Sequence, residues 1–153
     1  MVHKKEVSYG AVIYNITDKK IFFLLVKSKC FNKWGFPKGH QKLEETDSET
    51  AKREIYEETG LSIVNFVSNF KEKEQYIIHR KEEQNNSSII IKKCNVYFLA
   101  VADLKYNIKI TDNCEILEAR WCTINEAINI LYFRSQKLIL QEAYNFVLRR
   151  LSK

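Results

Sequence analysis

A chain of 153 residues with 45% hydrophobic and 29% charged residues can bury a real core and is read as one soluble globular domain spanning 1–153. Its strongly apolar run Ile21–Val26 is far too short to span a bilayer, and no cationic leader precedes it, so a cytoplasmic location with no membrane partner is expected. The net charge of +6 suits an anionic partner and a basic solvated surface equally, whereas Cys30, Cys94, Cys114 and Cys122 are scattered and form neither a zinc spacing nor a redox pair.

Residues 7–16, VSYGAVIYNI, and 20–28, KIFFLLVKS, are rich in β-branched and aromatic residues and are predicted as a hairpin turned by Thr17-Asp18-Lys19. A loop punctuated by Gly35, Pro37 and Gly39 follows. It leads to a helix predicted from about Asp47 to Thr59. Thr46 and Glu49 form a capping box, Asp47 and Glu49 put negative charge in the first turn, and Gly60 fits the C-terminal cap. The apolar stripe of this helix is thin, chiefly Ala51 and Ile55, so one face docks and the other stays polar.

Strands are predicted at 61–70, 74–80 and 88–102, with the polar loop KEEQNNS at 81–87. Residues 103–117 read as irregular with a short strand near Ile108, and 119–123 as a last strand. Thr123 and Glu126 make a second capping box for a short helix to about Leu131. Ser135 is expected to cap a final helix to about Leu151, with Ile139, Ala143, Phe146 and Val147 on one stripe. The resulting class is α/β, one mixed sheet with helices packed on it.

The chemistry concentrates in Gly39–Leu61. On a helix, Glu54 stands one turn from both Glu57 and Glu58, so three carboxylates are expected on one face. Like charges at that spacing destabilise an isolated helix, and a divalent cation among them removes the conflict. Carboxylate oxygens select hard ions such as Mg²⁺ and Mn²⁺. A solvated acidic helix face is the alternative for Glu57-Glu58 taken alone.

Taken as spacing, the segment is Gly39, five residues, Glu45, seven residues, Arg53-Glu54, apolar Ile55, one residue, Glu57-Glu58, one residue, Gly60, apolar Leu61. This resembles the signature of the Nudix hydrolases, with no departure over the segment. The resemblance implies an α/β/α sandwich with a central mixed β-sheet, and hydrolysis of a nucleoside diphosphate linked to a further group. It implies Mg²⁺ or Mn²⁺ held by Glu54, Glu57 and Glu58, with Glu54 also a candidate base and the Lys38 carbonyl completing the set. Arg53 and Glu45 resemble the family's structural pair beside Gly39. The chemistry agrees, because a phosphoanhydride presents negative oxygens that must be neutralised before water can attack.

Beyond that segment the chain looks like the asymmetrical diadenosine tetraphosphate hydrolases, through TrpGlyPheProLysGly at 34–39, Tyr76, Lys93 leading into NVYFLA, Arg120-Trp121, Phe133 and Gln141-Glu142. By that likeness Tyr76 and Phe133 are adenine contacts, with ordinary core aromatics as the alternative. Lys93 and Lys38 are phosphate contacts, with surface lysines as the alternative. Glu115 is one further catalytic carboxylate near the metals, with Glu118 open to confusion with it. Trp34 is either packing or substrate contact. Many members carry a tyrosine before the ArgTrp pair, where this chain has Ala119.

A small nucleotide is therefore the expected partner and a monomer the expected state. An RNA 5′ end is the rival substrate, since TrpGlyPheProLysGly also resembles messenger-RNA decapping enzymes. A nucleotide-binding module without turnover is the rival of another class, and the intact glutamate set counts against it.

Overall fold

The computed structural model describes residues 2–62, 64–103, 107–110 and 115–153. Among these residues seven strands and three helices follow in the order β1 Val2–Thr17, β2 Lys20–Ser28, β3 Trp34–Gly35, β4 Lys38–His40, α1 Asp47–Thr59, β5 Asn65–Lys81, β6 Ser88–Val101, β7 Ile116–Cys122, α2 Ile124–Ile130 and α3 Arg134–Leu151. All seven strands join one mixed sheet: β5 pairs β6 antiparallel, β6 pairs β1 parallel, β1 pairs β2 antiparallel, and β7 pairs β2 antiparallel.

The sheet is apolar on both faces, which is why its central strands are near-continuous hydrophobic runs rather than alternating ones. On one face Val12, Tyr14, Phe23, Leu25, Tyr97 and Leu99 meet Ile139, Leu140, Ala143 and Val147 of α3. On the other, Ala11, Ile13, Leu24 and Ala100 meet Ile55 of α1 and Leu61 just beyond it. The sheet thus lies between α1 on one side and α2 with α3 on the other, which bears out the expected sandwich.

One feature of the pairing positions the site. Strands β1 and β2 pair with each other only over residues 13–17 and 20–24. Beyond that point they part, Ser8–Gly10 of β1 taking β4 and Val26–Lys27 of β2 taking β3. The Phe36-Pro37 turn between β3 and β4 is wedged into the split, and the Ala11 amide donates to the Pro37 carbonyl at 3.2 Å. Gly10 makes this possible, because a Cβ there would lie 1.9 Å from the Pro37 carbonyl oxygen.

Several boundaries differ from expectation. The strands predicted at 61–70 and 74–80 are a single strand, β5, whose register against β6 shifts between Phe66 and Lys71; Asn69, at φ 69°, takes up the irregularity. β1 starts well before residue 7, because its parallel pairing with β6 continues back to Val2. Ile108 is in no strand but packs against the second core, held by the Lys109 amide donating to the Thr59 carbonyl at 2.8 Å. Phe133, not Ser135, is the N-cap of α3 and makes no side-chain cap bond; the Ser135 hydroxyl instead donates to Glu74. Cys114 lies outside the described residues. Among the described residues, no helix is long and apolar enough to cross a membrane.

Candidate active site

Helix α1 starts and stops as its local sequence dictates. Thr46 accepts from the Glu49 amide while Glu49 accepts from the Thr46 amide, and Gly60, at φ 77°, closes the other end. Thr50, Ala51, Ile55, Glu58 and Thr59 form its buried side. A carboxylate therefore sits in the docking face of the helix, which an apolar stripe alone would not include.

Glu58 is 9% exposed, and its Oε2 accepts from the Lys38 backbone amide at 3.2 Å, joining α1 to the wedged loop. Burial, then the neighbouring Glu54 charge, push its carboxyl up to about 8, against the opposing pull of Lys38; Glu115 adds to the rise. Glu54 is likewise raised, by burial first, with Arg53 opposing and Glu57 and Glu115 adding to it. The side chains of Glu54, Glu58 and Glu115 are thus close enough to repel one another. Glu115 is carried to this place by the start of β7, where its carbonyl accepts from the Lys29 amide at 2.7 Å.

Gly39 faces Glu54 directly: a Cβ at residue 39 would lie 2.0 Å from the carboxyl carbon and 2.2 Å from each carboxyl oxygen. Arg53 organises the outer side. Its Nε and one terminal nitrogen grip Glu45 at 2.7 and 3.0 Å, that same nitrogen donates to the His40 carbonyl at 2.8 Å, and the other donates to Glu54 at 2.8 Å and Glu57 at 3.2 Å. All the donors of the fork are engaged, a geometry lysine cannot reproduce. The Arg53 hydrogen bond, with the Lys42 amide and Thr50 hydroxyl, holds the Glu45 carboxyl down to about 2.

The three helix carboxylates do not converge as the helical spacing suggests. Glu58 is buried against Lys38, Glu54 is half-buried against Gly39, and Glu57 is exposed beside Arg53. Among the described residues, no three acidic, histidine or cysteine side chains stand close enough to close a metal shell as they are arranged. The donor set nonetheless fits a hard divalent cation: oxygen ligands only, with mutual repulsion that a positive ion relieves.

Tyr76 of β5 is paired in register with Lys93 of β6, and Lys93 with Glu6 of β1, so the three stand side by side on one face of the sheet. Tyr76 is 39% and Phe133 42% exposed, so neither is an ordinary core aromatic. Lys93 is not a free surface lysine: its ammonium meets Glu6 at 2.8 Å. That hydrogen bond lowers the Glu6 carboxyl to about 2, with Lys4 and His40 assisting. Trp34 is half-buried with the Arg120 guanidinium 5.0 Å from its ring, while Glu118 pairs Arg120 at 3.0 Å and so is distinguished from Glu115. Lys33 lies 4.1 Å over the ring of Tyr132, which meets Phe133 edge-on at 5.1 Å. Ala119 packs against the α1-side core, on the opposite face of β7 from Arg120.

Two features escaped the sequence reading. One is Glu6, whose importance shows only in its pairing with Lys93. The other is Glu74, a buried carboxyl group two residues from Tyr76 along β5, to which Asn95, Tyr97 and Gln136 each donate at 3.0 Å.

A NUDIX domain model matches residues 4–142. Asymmetrical bis(5′-nucleosyl)-tetraphosphatases from mouse, rat and pig are 34%, 33% and 30% identical over 129 residues, covering 82% of this chain and 80% of theirs. Two structures of a Caenorhabditis elegans Ap4A hydrolase share the fold. Its binary complex has a TM-score of 0.75 at 24% identity, covering 94% of this chain and 98% of that one; the other has 0.69 at 25%, covering 96% and 99%.

Proposed function

The chain belongs to the Nudix hydrolase family, and on that premise we propose that residues 1–153 act as one domain hydrolysing a phosphoanhydride bond of a dinucleoside polyphosphate, diadenosine tetraphosphate to ATP and AMP. The observation that carries this reading is the placement of two glutamates of α1 against one loop, Glu58 on the Lys38 amide and Glu54 on bare Gly39, in a chain whose curated relatives bear that activity.

In this reading Glu54, Glu57, Glu58 and Glu115, with the Lys38 carbonyl, hold Mg²⁺ or Mn²⁺. A cation held by these residues would supply charge neutralisation at the phosphate oxygens and lower the pKa of the attacking water. Glu54 takes the water's proton, its carboxyl aimed by Arg53 and by the bare Gly39 backbone. Arg53 and Glu45 hold the loop before α1 against the helix, so the carboxylates keep their places. Tyr76 and Phe133 offer ring faces to one adenine, and Lys38 and Lys93 offer positive charge to the phosphate chain, Lys93 exchanging its contact with Glu6 for a phosphate oxygen.

An RNA 5′ end is the second reading, favoured by the cation and ring pairs Lys33–Tyr132 and Arg120–Trp34. A side-by-side panel with Mg²⁺ separates them. Diadenosine tetraphosphate is expected to be consumed faster than triphosphorylated or capped RNA; cleavage of RNA ends with the dinucleotide left intact overturns the first reading.

A further inference from the structure

A buried polar knot lies beside the proposed base contacts, two residues from Tyr76 on β5 and two from Phe133 at the start of α3, and nothing in the metal chemistry uses it. Four donors converge on the Glu74 carboxyl. Oε1 accepts from the Asn95 amide, the Tyr97 hydroxyl and the Gln136 amide, each at 3.0 Å, and Oε2 accepts from the Ser135 hydroxyl. The Gln136 amide also reaches the Tyr97 hydroxyl at 3.4 Å. Two side-chain amides and two hydroxyls thus surround one carboxyl group. The Tyr97 phenol is held well above its ordinary value, by burial first and then by Glu74, so it remains a donor.

The knot joins three elements. Glu74 is two residues from Tyr76 and shares its face of β5. Ser135 and Gln136 are in the first turn of α3, two and three residues after Phe133. Tyr97 meets Phe36 edge-on at 5.1 Å, and the Gln136 side-chain amide lies against Gly35, so the loop leading to Lys38 rests on the same group. Among the described residues, Gln136 Oε1 is the one buried side-chain nitrogen or oxygen without a hydrogen-bond partner, and it faces that loop at Gly35.

We propose that Glu74 is a positioning residue that sets the spacing of Tyr76 and Phe133, and so tunes nucleobase binding, through Tyr97, Ser135 and Gln136. This rests on the dinucleotide reading above. Its four donors come from two elements, Asn95 and Tyr97 of β6 and Ser135 and Gln136 of α3; β5 and β6 are already joined by their backbone ladder, whereas Ser135 and Gln136 tie β5 to α3, so loss of the anion lets β5 and the start of α3 drift apart. In Glu74→Gln the carbonyl oxygen can keep the three donors on one side, but the amide nitrogen turns the Ser135 hydroxyl from donor to acceptor and the charge that strengthens all four bonds is lost.

The test measures KM and kcat for diadenosine tetraphosphate in Glu74→Gln, Ser135→Ala, Tyr76→Ala and the double variant Glu74→Gln/Tyr76→Ala, with thermal unfolding alongside. Glu74→Gln is expected to raise KM about tenfold with kcat within about twofold, and to add little to Tyr76→Ala, since both act through one contact. Ser135→Ala removes one exposed donor, keeps the fold and is expected to raise KM about threefold. A merely structural knot instead lowers the unfolding temperature and leaves KM unchanged or makes the two effects multiply; that result overturns the inference alone. Wild-type protein that leaves the dinucleotide intact overturns the substrate reading and this inference with it.

Discussion

Replacing Gly39 by alanine separates the site from the fold. The new Cβ would lie 2.0 Å from the Glu54 carboxyl carbon, where ordinary contact begins at 3.4 Å, so the carboxyl must withdraw by roughly 1.4 Å. The intruded atoms are the far end of a flexible side chain and residue 39 has no left-handed backbone, so the fold absorbs the change with an expected loss of about 1 kcal/mol or less. Glu54 leaves both its hydrogen bond from Arg53 and its aim on the reacting water. A displacement near 1 Å at a catalytic group lowers turnover about 100-fold. Gly10→Ala is the internal control in reverse, because its Cβ would strike the Pro37 carbonyl at 1.9 Å, a backbone atom that cannot rotate away, and stability falls with activity. Steady-state turnover of diadenosine tetraphosphate, paired with calorimetric unfolding temperatures, reads both quantities. Wild-type kcat in Gly39→Ala refutes the placement of Glu54 in the reaction.

Arg53→Lys should fail to rescue Arg53→Ala, since a point charge cannot bridge Glu45, Glu54, Glu57 and the His40 carbonyl together; both variants are expected to lose on the order of 2–3 kcal/mol in denaturant titration and most of their turnover. Thr46→Ala removes the α1 capping box and should lower stability by about 1 kcal/mol while leaving KM intact. The Glu6 carboxyl, depressed to about 2 by Lys93, stabilises the fold above pH 4.5, and that contribution is lost as pH falls through 2. Glu6→Gln should therefore flatten the acid limb of an unfolding curve relative to wild type; an unchanged limb contradicts the ion pair.

Helix α1 was legible because its signals are local: Thr46, Glu49 and Gly60 sit within fifteen residues, and the carboxylate spacing lies in the same stretch. The sandwich was legible from the runs around Val12, Leu24 and Leu99. The polar environment was not, because Glu74 draws Ser135 from 61 residues away and Gln136 from 62, and Glu6 meets Lys93 only through a parallel strand pairing. The same pull explains the misplaced cap of α3: a hydroxyl committed to Glu74 is unavailable to its own helix. Helical spacing likewise put Glu54, Glu57 and Glu58 on one face without revealing that Glu58 turns inward to Lys38 while Arg53 keeps Glu57 outside.

Product analysis tests the central claim most directly. Incubation of diadenosine tetraphosphate with the protein and Mg²⁺ is expected to yield ATP and AMP in equal amounts, with turnover lost on chelation and in Glu57→Gln and Glu58→Gln. ADP as the sole product, or undiminished turnover in those two variants, contradicts the account.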